Sequence, residues 1–286
     1  MRIGIAGIGL IGGSLAIQLK KTIKNVIILG YDSSELHLNQ ALDSGLIDEV
    51  ILDKDFASLD VLLLAFPVKQ ITNQLSSILD LINDKTLVID FGSTKARICK
   101  IISSHPRRSQ FLATHPIAGT EFSGPTAANE SLFDGKVQII CESDKTDSNL
   151  LIWALDWFKT IGMILKEMNP EDHDKHISYV SHLSHISSFI LGKTVLEKEK
   201  DESAIFAMAG SGFASTVRLA KSSPETWSSI FEENKDNILE TLKHYLSNLE
   251  EFKVLLEKEN YNEIYKIIEK TNAIKSVLKG IKTRYK

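Results

Sequence analysis

"MRIGIAGIGLIGG", residues 1–13, decides the fold. Ile3–Ala6 is an apolar run too short for a buried helix, and Gly7, Gly9 and Gly12 follow it in G-x-G-x-x-G spacing. At the junction of a strand and a helix each glycine has a physical task. The first makes the tight turn, the second lets backbone approach a pyrophosphate, and the third allows close helix–strand packing. The helix N-terminus, entered through Leu10 and Ile11, then faces the anion. The next apolar run, Val26–Leu29, leads into "ILGYD", which puts Asp32 twenty positions beyond Gly12, where a carboxylate can bond adenine ribose hydroxyls. Gly7, Gly9, Leu10, Ile11, Gly12 and Asp32 are therefore expected to bind a dinucleotide, against the plainer reading of a glycine-rich turn without ligand. A carboxylate at Asp32 repels a 2′-phosphate, and "SSELH" (33–37) brings no arginine to neutralise one, so NAD is expected over NADP.

Further apolar runs fall at Val61–Ala65, Leu87–Ile89, Phe111–Ala113 and Val137–Cys141. Amphipathic segments lie between several of them: Leu15–Lys21, Glu35–Ser44, Gln70–Leu81 and Ala96–Ser103. Continuous apolar strands alternating with helices predict a doubly wound, mostly parallel sheet covered on both faces. Near residue 169 the pattern changes. Asn169 and Pro170 read as an N-cap and first helical residue, Ser223 and Pro224 repeat the device, and everything after 169 reads helical. The expected division is 1–168, a Rossmann nucleotide-binding domain, and 169–286, an all-α domain.

Length and composition fit that plan. A chain of 286 residues can bury two cores, and a net charge of −4 supplies no basic footprint for nucleic acid or an anionic membrane. Glycines interrupt the apolar N-terminus, which argues against a signal peptide, and no run approaches bilayer-spanning length. Cys99 and Cys141 lie in no zinc-ligand spacing, which suits a reducing, cytoplasmic setting.

Chemistry is expected at three places. "ATHPIAGTEFSG" (113–124) sets His115 before a proline, which biases it toward extended backbone at the end of an apolar run. "DFGSTK" (90–95) puts Ser93 beyond the carboxyl end of another run, either near a nicotinamide or as a helix N-cap. Arg218 interrupts an apolar stretch, as a surface arginine or as a fork for a carboxylate. His173, His176, His182 and His185 invite a metal-site reading. On one regular helix, however, His173 and His182 point to opposite sides, as do His176 and His185, so no metal site is expected.

Five motifs in order resemble the prephenate dehydrogenase family of tyrosine biosynthesis, which includes arogenate dehydrogenases. They are "GIGLIGGSL" (7–15), "DFGSTK" (90–95), "HPIAGTEFSG" (115–124), "HISYVSHLSH" (176–185) and "GFASTVRLAKSSPETW" (212–227). The chain departs from the family at Ser184, often proline, and at Ala214 and Ser215, often an arginine–aspartate pair. The resemblance implies a Rossmann domain followed by a helical domain that forms a homodimer. It also implies NAD-dependent oxidative decarboxylation of prephenate, with arogenate as the near alternative substrate. On it, His115 accepts the substrate hydroxyl proton and Ser93 orients that hydroxyl or His115. Arg218 binds a substrate carboxylate, and His185, Ser181, Thr120, Glu121 and Trp227 lie at the pocket. A β-hydroxyacid dehydrogenase would share the two-domain plan but calls for a catalytic lysine on the interdomain helix, where this chain has the serine–histidine run; a non-catalytic NAD-binding protein would share the glycine motif but has no use for Ser93, His115 and Arg218 together. The chain ends at Lys286, where no appended regulatory or chorismate mutase domain is expected.

Overall fold

The computed structural model describes residues 1–120, 122–200, 202 and 204–280. Its first half winds as the apolar runs demand. β1 (Arg2–Ala6) enters α1 (Leu10–Thr22), followed by β2 (Ile27–Tyr31), α2 (Glu35–Asp43), β3 (Glu49–Val50) and β4 (Val61–Leu64). Then come α3 (Val68–Leu81), β5 (Leu87–Asp90), α4 (Ala96–Ile101), β6 (Phe111–Pro116), β7 (Val137–Cys141), α5 (Ser148–Thr160) and β8 (Ile164–Glu167). The eight strands form one sheet in the order β3-β2-β1-β4-β5-β6-β7-β8. Every neighbouring pair is parallel except β6–β7. The order reverses between β1 and β4, and in such sheets the crevice beyond the strands' carboxyl ends receives the ligand.

Side chains alternate across each strand, so the sheet has two cores. On one face Ile3, Ile5, Leu63, Ile89 and Leu112 pack with Leu15 and Leu19 of α1 and Phe158 of α5. On the other Leu62, Leu64, Val88 and Ala113 pack with Ile71 and Leu75 of α3 and Ile98 of α4. His115 lies two residues beyond Ala113 and so faces this second layer. Two strands escape the apolar-run criterion. β3 has only two residues, both exposed, and β8 is an edge strand whose Ile164 is 57% exposed. Neither is buried on both faces, so neither needs an unbroken hydrophobic sequence.

Past residue 168 the described chain is helical: α6 (Pro170–Ile177), a π-helical turn at Ser178–His182, α7 (Leu183–Glu199), α8 (Ser211–Thr216), α9 (Pro224–Glu233), α10 (Lys235–Glu257), α11 (Tyr261–Thr271) and α12 (Ile274–Gly280). Asn169 caps α6 by accepting from Glu171 and Asp172 N–H groups, and Ser223 caps α9 by accepting from Thr226 N–H. By packing, the chain divides into Met1–Ile238, which holds the sheet and helices α6 to α9, and the helical remainder from Leu239. Within the first unit α9 is fastened to the sheet layer. Ser229 Oγ accepts from Lys69 N–H, and Glu233 accepts from Thr72 Oγ1 and Arg97.

Candidate active site

The nucleotide corner is built by backbone. Gly7 adopts φ +92°, with its α-carbon so close to Ala65 and Phe66 backbone that a side chain there would collide. A Cβ on Gly12 would strike the Gly7 carbonyl oxygen, whereas Gly9 has open space within 4 Å. α1 thus starts inside the motif, earlier than its apolar periodicity suggests, and its first turn (Leu10, Ile11) presents N–H groups to the open side of Gly9. Asp32 is pinned at the end of β2. Its Oδ2 accepts from Ile8 N–H (2.8 Å) and its Oδ1 from Ser34 N–H (2.9 Å). A cradle open at the second glycine, a helix N-terminus and a fixed carboxylate fit a dinucleotide.

The histidine corner is built by side chains from distant segments. His115, half-buried at the end of β6, has its Nδ1 2.8 Å from His173 Nε2. His173 Nδ1 lies 2.8 Å from Asp174 Oδ1. Donor and acceptor capacity orders this chain. A carboxylate only accepts, so His173 donates from Nδ1. In that tautomer His173 Nε2 accepts from His115 Nδ1–H, and the lone pair of His115 is left on Nε2. Burial, followed by the fields of His173, Lys95 and His182, holds His115 well below the usual histidine pKa. The ring is a neutral base with a fixed tautomer.

Asp174 has a second task. Its oxygens accept from Lys95 N–H (2.7 Å) and Ala96 N–H (2.9 Å), capping α4 from another segment. Ser93 is therefore not the N-cap of α4, contrary to one of its two expected roles; Lys95 occupies that position and Asp174 supplies the acceptor. Among the described residues Ser93 makes no hydrogen bond to His115, and the expected orienting contact on that ring comes from His173 instead. Beneath them Lys95 Nζ, fully buried, pairs with Asp90 and donates to Thr114 O (2.7 Å). Burial raises the Asp90 carboxyl, while Lys95 and Gly92 N–H pull against it.

The histidine run is not one regular helix. The π-helical turn at Ser178–His182 adds a residue to the coil, so His182 swings round toward Asp174. Asn234 Nδ2 then donates both to Asp174 O (2.7 Å) and to His182 Nδ1 (3.2 Å). The expectation that His173 and His182 face apart fails for this reason. His176 is exposed. Burial drives His182 down to about 4, with His173 and His185 adding to the fall and Asp174 opposing it.

Around the next turn His185 stacks on Trp227 at 3.4 Å between ring centroids, with Phe189 and Phe231 behind the indole. His185 donates from Nδ1 to Ser181 O (3.0 Å), and burial and the nearby Arg218 lower its pKa. The structure thus brings Ser181, His185, Arg218 and Trp227 together. Thr120 is exposed, its hydroxyl accepting from Phe122 N–H within its own loop (3.3 Å). Glu121 lies outside the described residues. Sequence reading misses Lys95, Asp174 and Asn234, and it considers His173 as a metal ligand and sets that role aside. One signal was present: the inward positions of α6, Pro170, His173, Asp174 and Ile177, follow core spacing, yet two of the four are polar.

Comparison with known proteins accords with this geometry. The family described as "Prephenate dehydrogenase, nucleotide-binding domain" matches residues 15–166, and "Prephenate dehydrogenase, dimerization domain" matches residues 169–270. The chain is 30% identical to the prephenate dehydrogenase of Bacillus subtilis, over 92% of this chain and 72% of that protein. It is 26% identical to the cyclohexadienyl dehydrogenase of Zymomonas mobilis, over 89% and 88%. Among solved structures, prephenate dehydrogenase from A. aeolicus in complex with hydroxyphenyl propionate and NAD+ superposes with a TM-score of 0.87 at 29% identity, covering 97% of this chain and 98% of that one.

Proposed function

This chain belongs to the prephenate dehydrogenase family, and from that premise we propose how its own residues divide the chemistry. The protein is an NAD-dependent oxidoreductase that converts prephenate to 4-hydroxyphenylpyruvate, CO2 and NADH. Prephenate carries a hydroxyl on ring carbon C4 and, across the ring, a carboxylate on a quaternary carbon. NAD+, when bound, takes the hydride from C4.

His115 Nε2 accepts the hydroxyl proton as C4 is oxidised, and the C–O bond becomes a carbonyl. The carboxylate leaves as CO2, and its bonding electrons run through the ring onto that oxygen, which takes the proton back from His115. The ring is then aromatic, and no proton is lost overall. The observation that carries this reading is the hydrogen-bonded chain Asp174–His173–His115, which leaves Nε2 as the free acceptor. In it Asp174 and His173 are positioning residues, fixing the tautomer and balancing the charge on His115 while it holds the proton.

Ser93, beyond β5 at the same end of the sheet, bonds the substrate hydroxyl. Arg218 binds a substrate carboxylate through its guanidinium fork. His185, Ser181, Trp227 and Thr120 bind substrate at the pocket, and the family motif assigns Glu121 to the same role. Gly7, Gly9, Leu10, Ile11, Gly12 and Asp32 hold the dinucleotide.

We further propose that residues 1–168 and 169–286 act as nucleotide and substrate domains, that the second forms a homodimer as its family description implies, and that the enzyme works in the cytoplasm. Among the described residues no helix is long and apolar enough to cross a membrane. The test is incubation with NAD+ and either prephenate or arogenate, following NADH absorbance and CO2 release. Turnover of prephenate is the expected result, and a higher kcat/KM for arogenate would move the assignment to arogenate dehydrogenase. No turnover with either would overturn it.

A further inference from the structure

One buried amide joins three segments around the histidine corner. Asn234, 3% exposed, directly follows α9, the helix that carries Trp227. Its Nδ2 lies 2.7 Å from Asp174 O in α6 and 3.2 Å from His182 Nδ1 in the π-helical turn. Ser229 and Glu233 fasten α9 to the sheet layer, so the amide projects from a fixed element.

Donor and acceptor capacity settles which way the amide points. Asp174 O is a carbonyl and can only accept, so the –NH2 group faces it, and the second hydrogen of that group goes to His182 Nδ1. Asn234 Oδ1 accepts from Asn237 Nδ2 (2.7 Å), in keeping with that orientation. His182 therefore has its lone pair on Nδ1 and its proton on Nε2. A ring held in this way is neutral, since a proton on Nδ1 would set two donors against each other. The groups that share its field are His173 and Asp174 of α6, His185 of α7 and His115 of β6. Of these only Asp174 is an anion, and it already balances the proton that His115 takes up in turnover. A cation at His182 would compete for the same carboxylate.

We infer that Asn234 is a positioning residue for the reaction: its two donated hydrogen bonds fix the Asp174 main chain and the Nε2–H tautomer of His182, so that the corner carries a single added charge during turnover. The inference rests on the reading of His115 as the base.

The test compares wild type with N234D and N234L as full chains. Aspartate keeps the shape of the amide but donates nothing, and leucine keeps its bulk without polar atoms. Nitrogen NMR of isotope-labelled histidine, with H182N to assign the ring, reads the tautomer. Wild type should carry the His182 proton on Nε2 alone, and N234D should carry one on Nδ1, facing the new carboxylate. With prephenate and NAD+, kcat should fall about tenfold in N234L, the equivalent of one net hydrogen bond, and further in N234D, while both KM values stay within about twofold. An amide that merely fills space would leave N234D with wild-type kcat, and that result would overturn the inference. So would a wild-type His182 protonated on Nδ1, a measurement that needs no variant at position 234. Retained turnover in H115N would instead overturn the base reading, and the His182 tautomer would stay as Asn234 sets it.

Discussion

The nucleotide corner and the histidine corner sit at the same end of one sheet and are made in opposite ways. The first is backbone: three glycines within six residues, one helix N-terminus and one carboxylate tied to main-chain N–H groups. The second is a relay of side chains in which His115 meets His173, 58 positions away, and Asp174 caps a helix 78 positions before it. A backbone site is specified by what is absent, because only glycine leaves the room. A relay is specified by which side chains the tertiary fold brings within hydrogen-bond reach. The first corner should therefore fail in affinity when altered, and the second in turnover or stability.

The largest effect expected is at the head of the relay. H115N should lower kcat by about a thousandfold, within the range for losing a general base, while the dissociation constant for NAD+ stays within about twofold. Steady-state kinetics beside calorimetry checks both halves, and retained turnover would remove His115 from the chemistry.

Stability comes next. His182 is neutral in the fold, with its pKa depressed to about 4. A histidine so lowered contributes stability that is present above its unfolded value, near 6.5, and is lost as pH falls toward 4, because the unfolded chain binds the proton first. Over that window urea unfolding should show a loss of about 3 kcal/mol from this group. In H182N the loss over the same window should be smaller by that amount.

D174N should lower kcat by about a hundredfold with KM for prephenate little changed. The pH profile separates positioning from mere structure. In wild type the acid limb of kcat/KM should fall below pH 6.5, since His115 is held under its ordinary value and activity is lost as the ring protonates. Loss of Asp174 should move that limb; an unmoved limb would leave Asp174 only its cap on α4. The smallest effect belongs to the backbone corner: D32N should raise the dissociation constant for NAD+ about tenfold, the scale of a charged hydrogen bond, with kcat unchanged. A fall in kcat with unaltered affinity would erase the distinction between the corners.

Legibility follows the same division. The glycine spacing and Asp32 could be read in the sequence because each residue acts through its own local backbone. His115 could be read because Pro116 fixes its conformation and the apolar run before it fixes its place on the sheet. β3 and β8 could not, since an edge strand carries no obligatory hydrophobic pattern. The histidine run misled the periodicity argument. A regular coil of 3.6 residues per turn puts His173 and His182 on opposite sides, and the π turn at Ser178–His182 breaks that phase.

By itself, then, the sequence determined the parallel sheet, the cradle at its carboxyl end and the place of His115 at the end of a strand, because hydrophobic periodicity, glycine sterics and proline restriction all act within a few residues. Only the tertiary structure decided which nitrogen of His115 is free. That depends on an acceptor at His173 and a carboxylate at Asp174, and a proton's position on a ring is set by the partners that packing supplies.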